Sequence, residues 1–388
     1  MRIGVVVDNS YFQDVRVTRE VKILAKQHEV FVLCVSGGSK DNDSVTQVSI
    51  PSALKNLLFG TMTWLPLYNY LWRRWIDRFV EFRNVDVLHV HDLYMAKSAG
   101  HVARKNKIPL ILDLHENFPV AINSYNWVKS PFKRFISRPE KWYQLEGDYL
   151  SFADRLIVLS DYFKNKLLEK YRFLKEDYIY TFENVVDFDF FDRLELCTKS
   201  YINDKPVLFY FGGVAERRGI FDTLMVMEKL LQEGIDLELL IIGPIDKADK
   251  NRFLRWIQKP ILRDFVTYIS WISMEELPSY IQKADICLAP FHKNEQHDSG
   301  VANKIFQYMY FSKPIVASDC YSQKVLIEAA NCGYIFSDYE DYFKQLKISL
   351  SRPNERVNKG QNGRRYLKEN YQFSNQEISL LAVYEKLI

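Results

Sequence analysis

Continuous apolar runs and amphipathic stretches alternate along the first half of the chain. "RIGVVV", from Arg2, is followed by a polar loop, a helical repeat near Val17–Gln27 and a second run, "EVFVLCV". "VDVLHV" comes next, then the helix-patterned "DLYMAKSAGHVARKNK" with Asp92 in the N-cap position. "PLILDL" and "ADRLIVLS" complete the set, the latter leading into a helix from Asp161 to about Tyr171. Runs without polar alternation fit strands covered on both faces. Short connections between alternating strands and helices predict a mainly parallel sheet.

A second series starts near Pro206. Strands are expected at "VLFYFGG", "LELLIIG", "DICLAPF" and "PIVAS", and helices at "GIFDTLMVMEKLLQEG", "EELPSYIQKA" and "ANKIFQYMYF". The fold class is therefore α/β, with an open, mainly parallel sheet in each half and the joint in the polar stretch Val186–Lys205. The boundaries expected are 1–190 and 205–372. At the end of the chain Ser374 and Glu377 form an S-x-x-E capping box. Ile378, Leu381 and Leu387 give the helix 374–388 an apolar stripe.

Length agrees with two domains, since 388 residues are many for one core. A net charge of +3, from 52 basic and 49 acidic residues, argues against a nucleic-acid binder that relies on global charge. The five cysteines are scattered, with no C-x-x-C pair. That pattern suggests neither a zinc site nor a disulfide framework and fits a reducing compartment. The first apolar run is too short for a signal sequence and reads as a strand. No apolar run approaches the roughly 20 residues of a spanning helix.

Three stretches carry candidate chemistry. "HVHD" and "DLHE" end two successive strands and hold His89, His91, Asp92, Asp113, His115 and Glu116. Ligands of open α/β sheets bind beyond the carboxyl ends of strands. His89 and His91 there are either packing residues or site residues. His115 suits proton transfer or the orientation of a hydroxyl. No H-E-x-x-H or similar spacing supports a metal, and none is expected. "FYFGGVAERRGIFD" runs from a strand through Gly212 and Gly213 to Arg217, Arg218 and a helix opened by Gly219. It reads either as a diphosphate loop, with glycines for close approach and an arginine at a helix start, or as a solvated turn. "HDSGVANKIFQYMYF" places Ser299 and Gly300 before another helix start, a second anion position. Gln307 within that helix is either a ribose ligand or polar surface.

In combination these stretches resemble the retaining glycosyltransferases of family 4, which have the GT-B architecture of two Rossmann-like domains facing across a cleft. "NSYFQDVRVTREVKILAKQHEVFVL" resembles the opening D-x-R-V-x-R-E of one subgroup. "HVHDLY" and "LDLHENFP" resemble its H-x-H-D and D-x-H-E elements. "FGGVAERRG", "VTYISWISMEELPSYIQKADICLAPF" and "NKIFQYMYFSKPIVASD" resemble the donor domain in order and spacing. The resemblance implies an acceptor-side N-terminal domain, completed by the terminal helix, and a donor domain binding a nucleotide-diphosphate sugar of UDP or GDP type. It places His115 near the transferred sugar, and Arg16 and Arg218 toward the diphosphate, with Gly212 and Gly213 forming its loop. Ile272 would meet the base through its backbone, Ser299, Gly300 and Val301 would line the sugar and phosphate, and Gln307 would reach the ribose. Two positions depart from the family. Its paired glutamates are Ser299 and Gln307 here, and a basic residue of its phosphate loop is Gly213.

The implied activity is metal-independent, cofactor-free hexosyl transfer with retention, to a glycan or lipid-linked glycan in surface polysaccharide assembly. A sugar-nucleotide epimerase and a non-catalytic sugar-nucleotide-binding partner are the alternatives. Two basic, aromatic stretches bear on location. The first holds Trp64, Tyr68, Tyr70, Trp72 and Trp75 beside Arg73, Arg74 and Arg78. The second holds Trp127, Phe132, Phe135, Trp142 and Tyr143 among Lys129, Lys133, Arg134, Arg138 and Lys141. They are either ordinary helices with inward aromatics or a surface for anionic lipid. The second reading predicts a cytoplasmic protein, peripheral on the inner face of the membrane.

Overall fold

The computed structural model describes residues 1–36, 43–125, 128, 130–194 and 205–387, without the side chains of Phe373 and Ser374. The chain divides into two compact units, Met1–Glu183 with Gln376–Ile388, and Asn184–Asn375. The segment from Asn184 belongs to the second unit because Val186 and Phe191 are buried in its core. Residues 195–204 of the expected joint, the capping side chain of Ser374, and Cys197, Trp127 and Lys129 lie outside the described part.

The N-terminal unit is built on seven strands: β1 (Arg2–Val6), β2 (Glu29–Val35), β3 (Val45–Val48), β4 (Val87–His91), β5 (Leu110–Asp113), β6 (Arg155–Val158) and β7 (Ile179–Thr181). Their order is β3-β2-β1-β4-β5-β6-β7, with every pairing parallel. All five residues of β4 are buried, including both histidines. Helix Val15–Leu24 starts at Asp14, whose carboxylate accepts the amides of Arg16 and Val17. That cap satisfies donors the helix would otherwise leave unpaired. Asp92 does not act as the cap expected of it. Its φ is +70°, its amide donates to Asp113 O at 2.8 Å, and its carboxylate accepts from Tyr94 Oη at 3.1 Å. The α-helix begins only at Ala96, after a 3-10 turn.

The C-terminal unit carries β8 (Val207–Phe211), β9 (Glu238–Ile242), β10 (Val266–Ile269), β11 (Ile286–Ala289), β12 (Ile315–Ser318) and β13 (Gly333–Phe336). The order is β10-β9-β8-β11-β12-β13, again parallel throughout. Apolar clusters in this unit include Phe306 and Tyr308 in one, and Leu208, Tyr210 and Phe253 in another. In each sheet the direction of strand addition reverses beside the first strand, between β1 and β4 and between β8 and β11. Such reversals open a crevice at the carboxyl edge.

Candidate functional site

The crevice of the N-terminal unit holds a buried polar cluster. β4 and β5 pair with His91 opposite Asp113, so the two strand ends deliver their side chains together. His91 Nδ1 lies 2.8 Å from His115 Nε2, and each of those nitrogens is 3.6 Å from Asp113 Oδ2. His89, two residues before His91 on the same strand face, stacks on it with ring centroids 4.7 Å apart. Its Nδ1 is 2.6 Å from the Tyr384 hydroxyl.

Helix Val15–Leu24 adds Arg16 and Glu20, one turn apart on one face. Arg16 donates to both oxygens of Asp113, at 2.9 and 2.8 Å, and to Phe182 O at 2.8 Å. Its Nε is also 3.1 Å from Glu20 Oε1. Sequence reading turns Arg16 toward donor phosphates; in the structure each of its guanidinium nitrogens has an acceptor within its own unit. Glu20, His89, His91 and Asp113 each offer a ligand atom, all within 4.8 Å of one another. The guanidinium already supplies positive charge beside both carboxylates.

Burial disfavours the Asp113 carboxylate, but Arg16 and His115 outweigh it and hold its pKa well below the usual range. Burial, with Asp113 nearby, pushes Glu20 well above the usual carboxylate range. Burial also lowers His91, and lowers His89 further, with His91 adding to the effect. His115 goes the other way: burial opposes its charge, yet Asp92 and Asp113 raise it to about 9. At neutral pH His115 is therefore a protonated donor, and neutral His91 Nδ1 is the acceptor across their 2.8 Å contact. Of the three histidines only His115 keeps exposure, 18 % of its side chain.

In the C-terminal unit β8 runs into Gly212, at φ +122°, and Gly213. A 3-10 turn, Glu216–Arg218, then leads to helix Ile220–Gln232. Gly219 enters that helix at φ +72°, and a Cβ there would stand 1.7 Å from Pro290 O. Only glycine fits both constraints. The two arginines part company: Arg217 turns to Asp246 at 3.3 Å, while Arg218 lies along Gly213, its Nε 3.6 Å from where a Cβ would be. Among the described residues no carboxylate is within ion-pair reach of Arg218. Ser299 is buried and donates to Glu295 O at 2.5 Å. Gly300, Val301 and Ala302 lead into helix Asn303–Tyr310. Ile272 and Val301 share one apolar cluster. Gln307 is buried, and its Oε1 has no hydrogen-bond partner among the described residues.

Residues 14–190 match the description Glycosyltransferase Family 4, and residues 195–366 match Glycosyl transferases group 1. The chain belongs to the glycosyltransferases of the family 4 type. Spore coat protein SA of Bacillus subtilis (strain 168) is 23 % identical over 201 residues, 50 % of this chain and 52 % of that relative. The capsular polysaccharide biosynthesis glycosyltransferase CapM of Staphylococcus aureus is 21 % identical over 260 residues, 64 % of this chain and 63 % of that relative. The matched segments thus span about half to two thirds of these curated relatives. Among solved structures, Anabaena HepE in complex with UDP and glucose superposes with a TM-score of 0.72 at 10 % identity, covering 99 % of each chain. At that identity the likeness speaks for the GT-B fold alone.

In the structure, then, Arg16, His91, Asp113 and His115 meet in one cluster, and Gly213 and Arg218 meet in another. Glu20, Tyr384 and Lys304 are the polar residues that sequence reasoning did not single out. Glu20 belongs to the R-E pair of the quoted opening stretch, which was the one signal available. Tyr384 reaches His89 from 295 positions away along the chain. Lys304 sits at the start of the helix carrying Gln307, where a lysine ordinarily reads as surface.

Proposed function

We propose that this chain is a retaining glycosyltransferase that moves a sugar from a nucleotide-diphosphate sugar to a glycan or lipid-linked glycan during surface polysaccharide assembly. The observation that carries the reading is the loop after β8, where two glycines lie beside an arginine with no carboxylate partner among the described residues. A diphosphate is the ligand such a loop suits, through close backbone approach and a guanidinium fork. Arg218 would stabilise charge on the leaving diphosphate as the glycosidic bond breaks, without a metal ion. Ser299, Gly300 and Val301 are assigned to sugar and phosphate, Ile272 to the base, and Gln307 to the ribose. His115, protonated at neutral pH, would donate to an oxygen of the transferred sugar rather than accept a proton from it. The D-x-R-V-x-R-E, H-x-H-D and D-x-H-E elements assign the chain to the corresponding subgroup. Arg16 within the first element serves to hold Asp113. The relatives do not favour the alternatives of epimerisation or non-catalytic binding.

A lipid-linked acceptor is supported by the exposed face of the N-terminal unit. Tyr68, Trp72 and Trp142 are buried, but Leu57, Trp64, Leu67, Tyr70, Phe132 and Phe135 are exposed. Helices Ser52–Thr61, Leu67–Arg83 and Pro131–Ser137 carry most of these side chains. They are tied together by Thr63 Oγ1 donating to Ser137 O at 3.2 Å and by Arg138 stacked over Trp64 at 4.6 Å. Arg73, Arg74 and Lys133 are exposed there as well. Apolar side chains ringed by bases suit the headgroup region of an anionic leaflet. Among the described residues no helix is long and apolar enough to cross a membrane; the association proposed is peripheral, on the cytoplasmic face. A thermal-shift screen of UDP-, GDP- and dTDP-sugars tests the donor reading. One nucleotide series should raise the melting temperature in a concentration-dependent way; no shift with any of them at millimolar concentration would sink the proposal.

A further inference from the structure

Lys304 is 4 % exposed, and among the described residues its Nζ has no hydrogen-bond acceptor. A lysine is rarely buried unless an anion or acceptor compensates it, because desolvating an ammonium is costly. Here it lies over the faces of Tyr210, 3.7 Å from Nζ to the ring centroid, and Phe291, at 5.0 Å. Cation–π contact offsets part of that cost but does not neutralise the charge.

The direction of the side chain is informative. A Cβ placed on Gly212 would lie 3.4 Å from Lys304 Nζ, and one on Gly213 would lie 3.6 Å from Arg218 Nε. Two adjacent glycines thus leave room beside two basic side chains, neither with a carboxylate partner among the described residues. Arg218 also lies over Phe291, at 5.9 Å, so the same ring borders both. The helix that carries Lys304 starts at Ala302, which offers no capping side chain. Its first turn therefore adds a free positive dipole end.

We infer that Lys304 is a second cationic ligand of the donor diphosphate, binding the phosphoryl oxygens together with Arg218 at the Gly212–Gly213 loop. This deepens the donor reading above and rests on it. The position accounts for a buried lysine with no hydrogen-bond acceptor among the described residues, because the anion arrives with the substrate.

The unliganded lysine has a pKa well below its ordinary value, through burial first and Arg218 second. An arriving diphosphate would shift the lysine back toward its charged form, which links binding to proton uptake. The groups facing it from neighbouring elements are Arg218, the Tyr210 phenol, which burial raises to about 12, and the Cys287 thiol, which burial also raises. On its own helix lies Tyr308, likewise raised by burial. His297, in ring contact with Phe291 at 4.9 Å, is lowered to about 4 by burial, despite a bond to the His292 carbonyl and with help from the nearby arginines. It is the other candidate to gain a proton, and the variant separates the two.

The test is calorimetric titration of UDP, GDP, uridine and guanosine into wild type and Lys304→Met, in two buffers of different ionisation enthalpy. The preferred diphosphate should bind the variant about 10- to 100-fold more weakly, with nucleoside affinity unchanged and proton uptake abolished. Without ligand the variant should melt no lower than wild type, because a buried amine with no acceptor among the described residues has been removed. Equal diphosphate affinity in the two proteins, or a lower melting temperature with nucleoside binding lost as well, would overturn the role of Lys304. If wild type itself binds neither diphosphate, nor dTDP, the donor reading falls and this inference with it.

Discussion

Arg16→Ala is the perturbation whose consequence follows most directly from the N-terminal cluster. The change leaves the Asp113 carboxylate, fully buried in the structure, without its bidentate partner. Removing one member of a buried ion pair costs about 3–5 kcal/mol, because the remaining charge stays desolvated. For a unit of this size each kcal/mol lowers the melting temperature by about 2–4 °C, so the expected loss is on the order of 10 °C. His115 remains beside Asp113, which places the effect toward the lower end of that range. Differential scanning calorimetry measures it, with the transition of the N-terminal unit followed separately if the two units melt apart. Asp113→Asn should restore part of the stability lost in Arg16→Ala, since the orphaned charge is gone. The coupling in that double-mutant cycle should exceed about 1 kcal/mol. A melting temperature within 2 °C of wild type, or additivity within about 0.5 kcal/mol, would refute the reasoning. Nucleotide affinity offers an independent check. It should stay within about twofold of wild type, and a loss of tenfold or more, about 1.4 kcal/mol, would show Arg16 reaching a phosphate after all.

Three further outcomes are expected. Arg218→Ala should lower turnover by about 100-fold or more, as for loss of one strong oxyanion donor, whereas Arg217→Ala, whose side chain is paired with Asp246, should change it by less than about tenfold; steady-state kinetics decide, and equal effects would show the wrong arginine was chosen. Stability of the N-terminal unit should fall as pH rises from about 6.5 through the His115 value of about 9: a raised pKa contributes fully below the unfolded value and is lost above the folded one, here up to roughly 3 kcal/mol. His115→Gln should flatten that limb in pH-dependent urea unfolding, and an unchanged slope would argue against the raised value. In liposome sedimentation the protein should bind anionic vesicles, more at low salt, and less when Arg73, Arg74 and Lys133 are changed to Gln; wild type remaining in the supernatant at low salt would count against the membrane surface.

What the sequence revealed of the fold follows a physical line. The nine strands read from apolar runs are all interior to their sheets, with covered faces that demand such runs. The four it did not assign, β3, β7, β10 and β13, are the sheet edges. Their residues are mostly half-exposed, so their pattern merges with that of loops. The same limit applies to the cluster around Asp113. His91, Asp113 and His115 were legible because each ends or follows a strand whose position the apolar runs indicate. The Arg16–Asp113 pair joins residues 97 positions apart, and no local pattern announces it. Asp92 was misread because a short acidic residue before a helical repeat looks like a cap, while the backbone there turns through positive φ. No local pattern marks Lys304, because its burial arises from packing between its helix and the end of β8.

The central claim is sugar transfer from a nucleotide-diphosphate donor, and its most direct measurement is the fate of radiolabelled donor incubated with membrane lipid extract. Label should enter the lipid-linked fraction in step with release of nucleoside diphosphate, without added metal and with the anomeric configuration kept, and both signals should fall by about 100-fold or more in Arg218→Ala. Conversion of the donor to an epimer without acceptor, or donor binding with label never leaving the nucleotide, would contradict the claim.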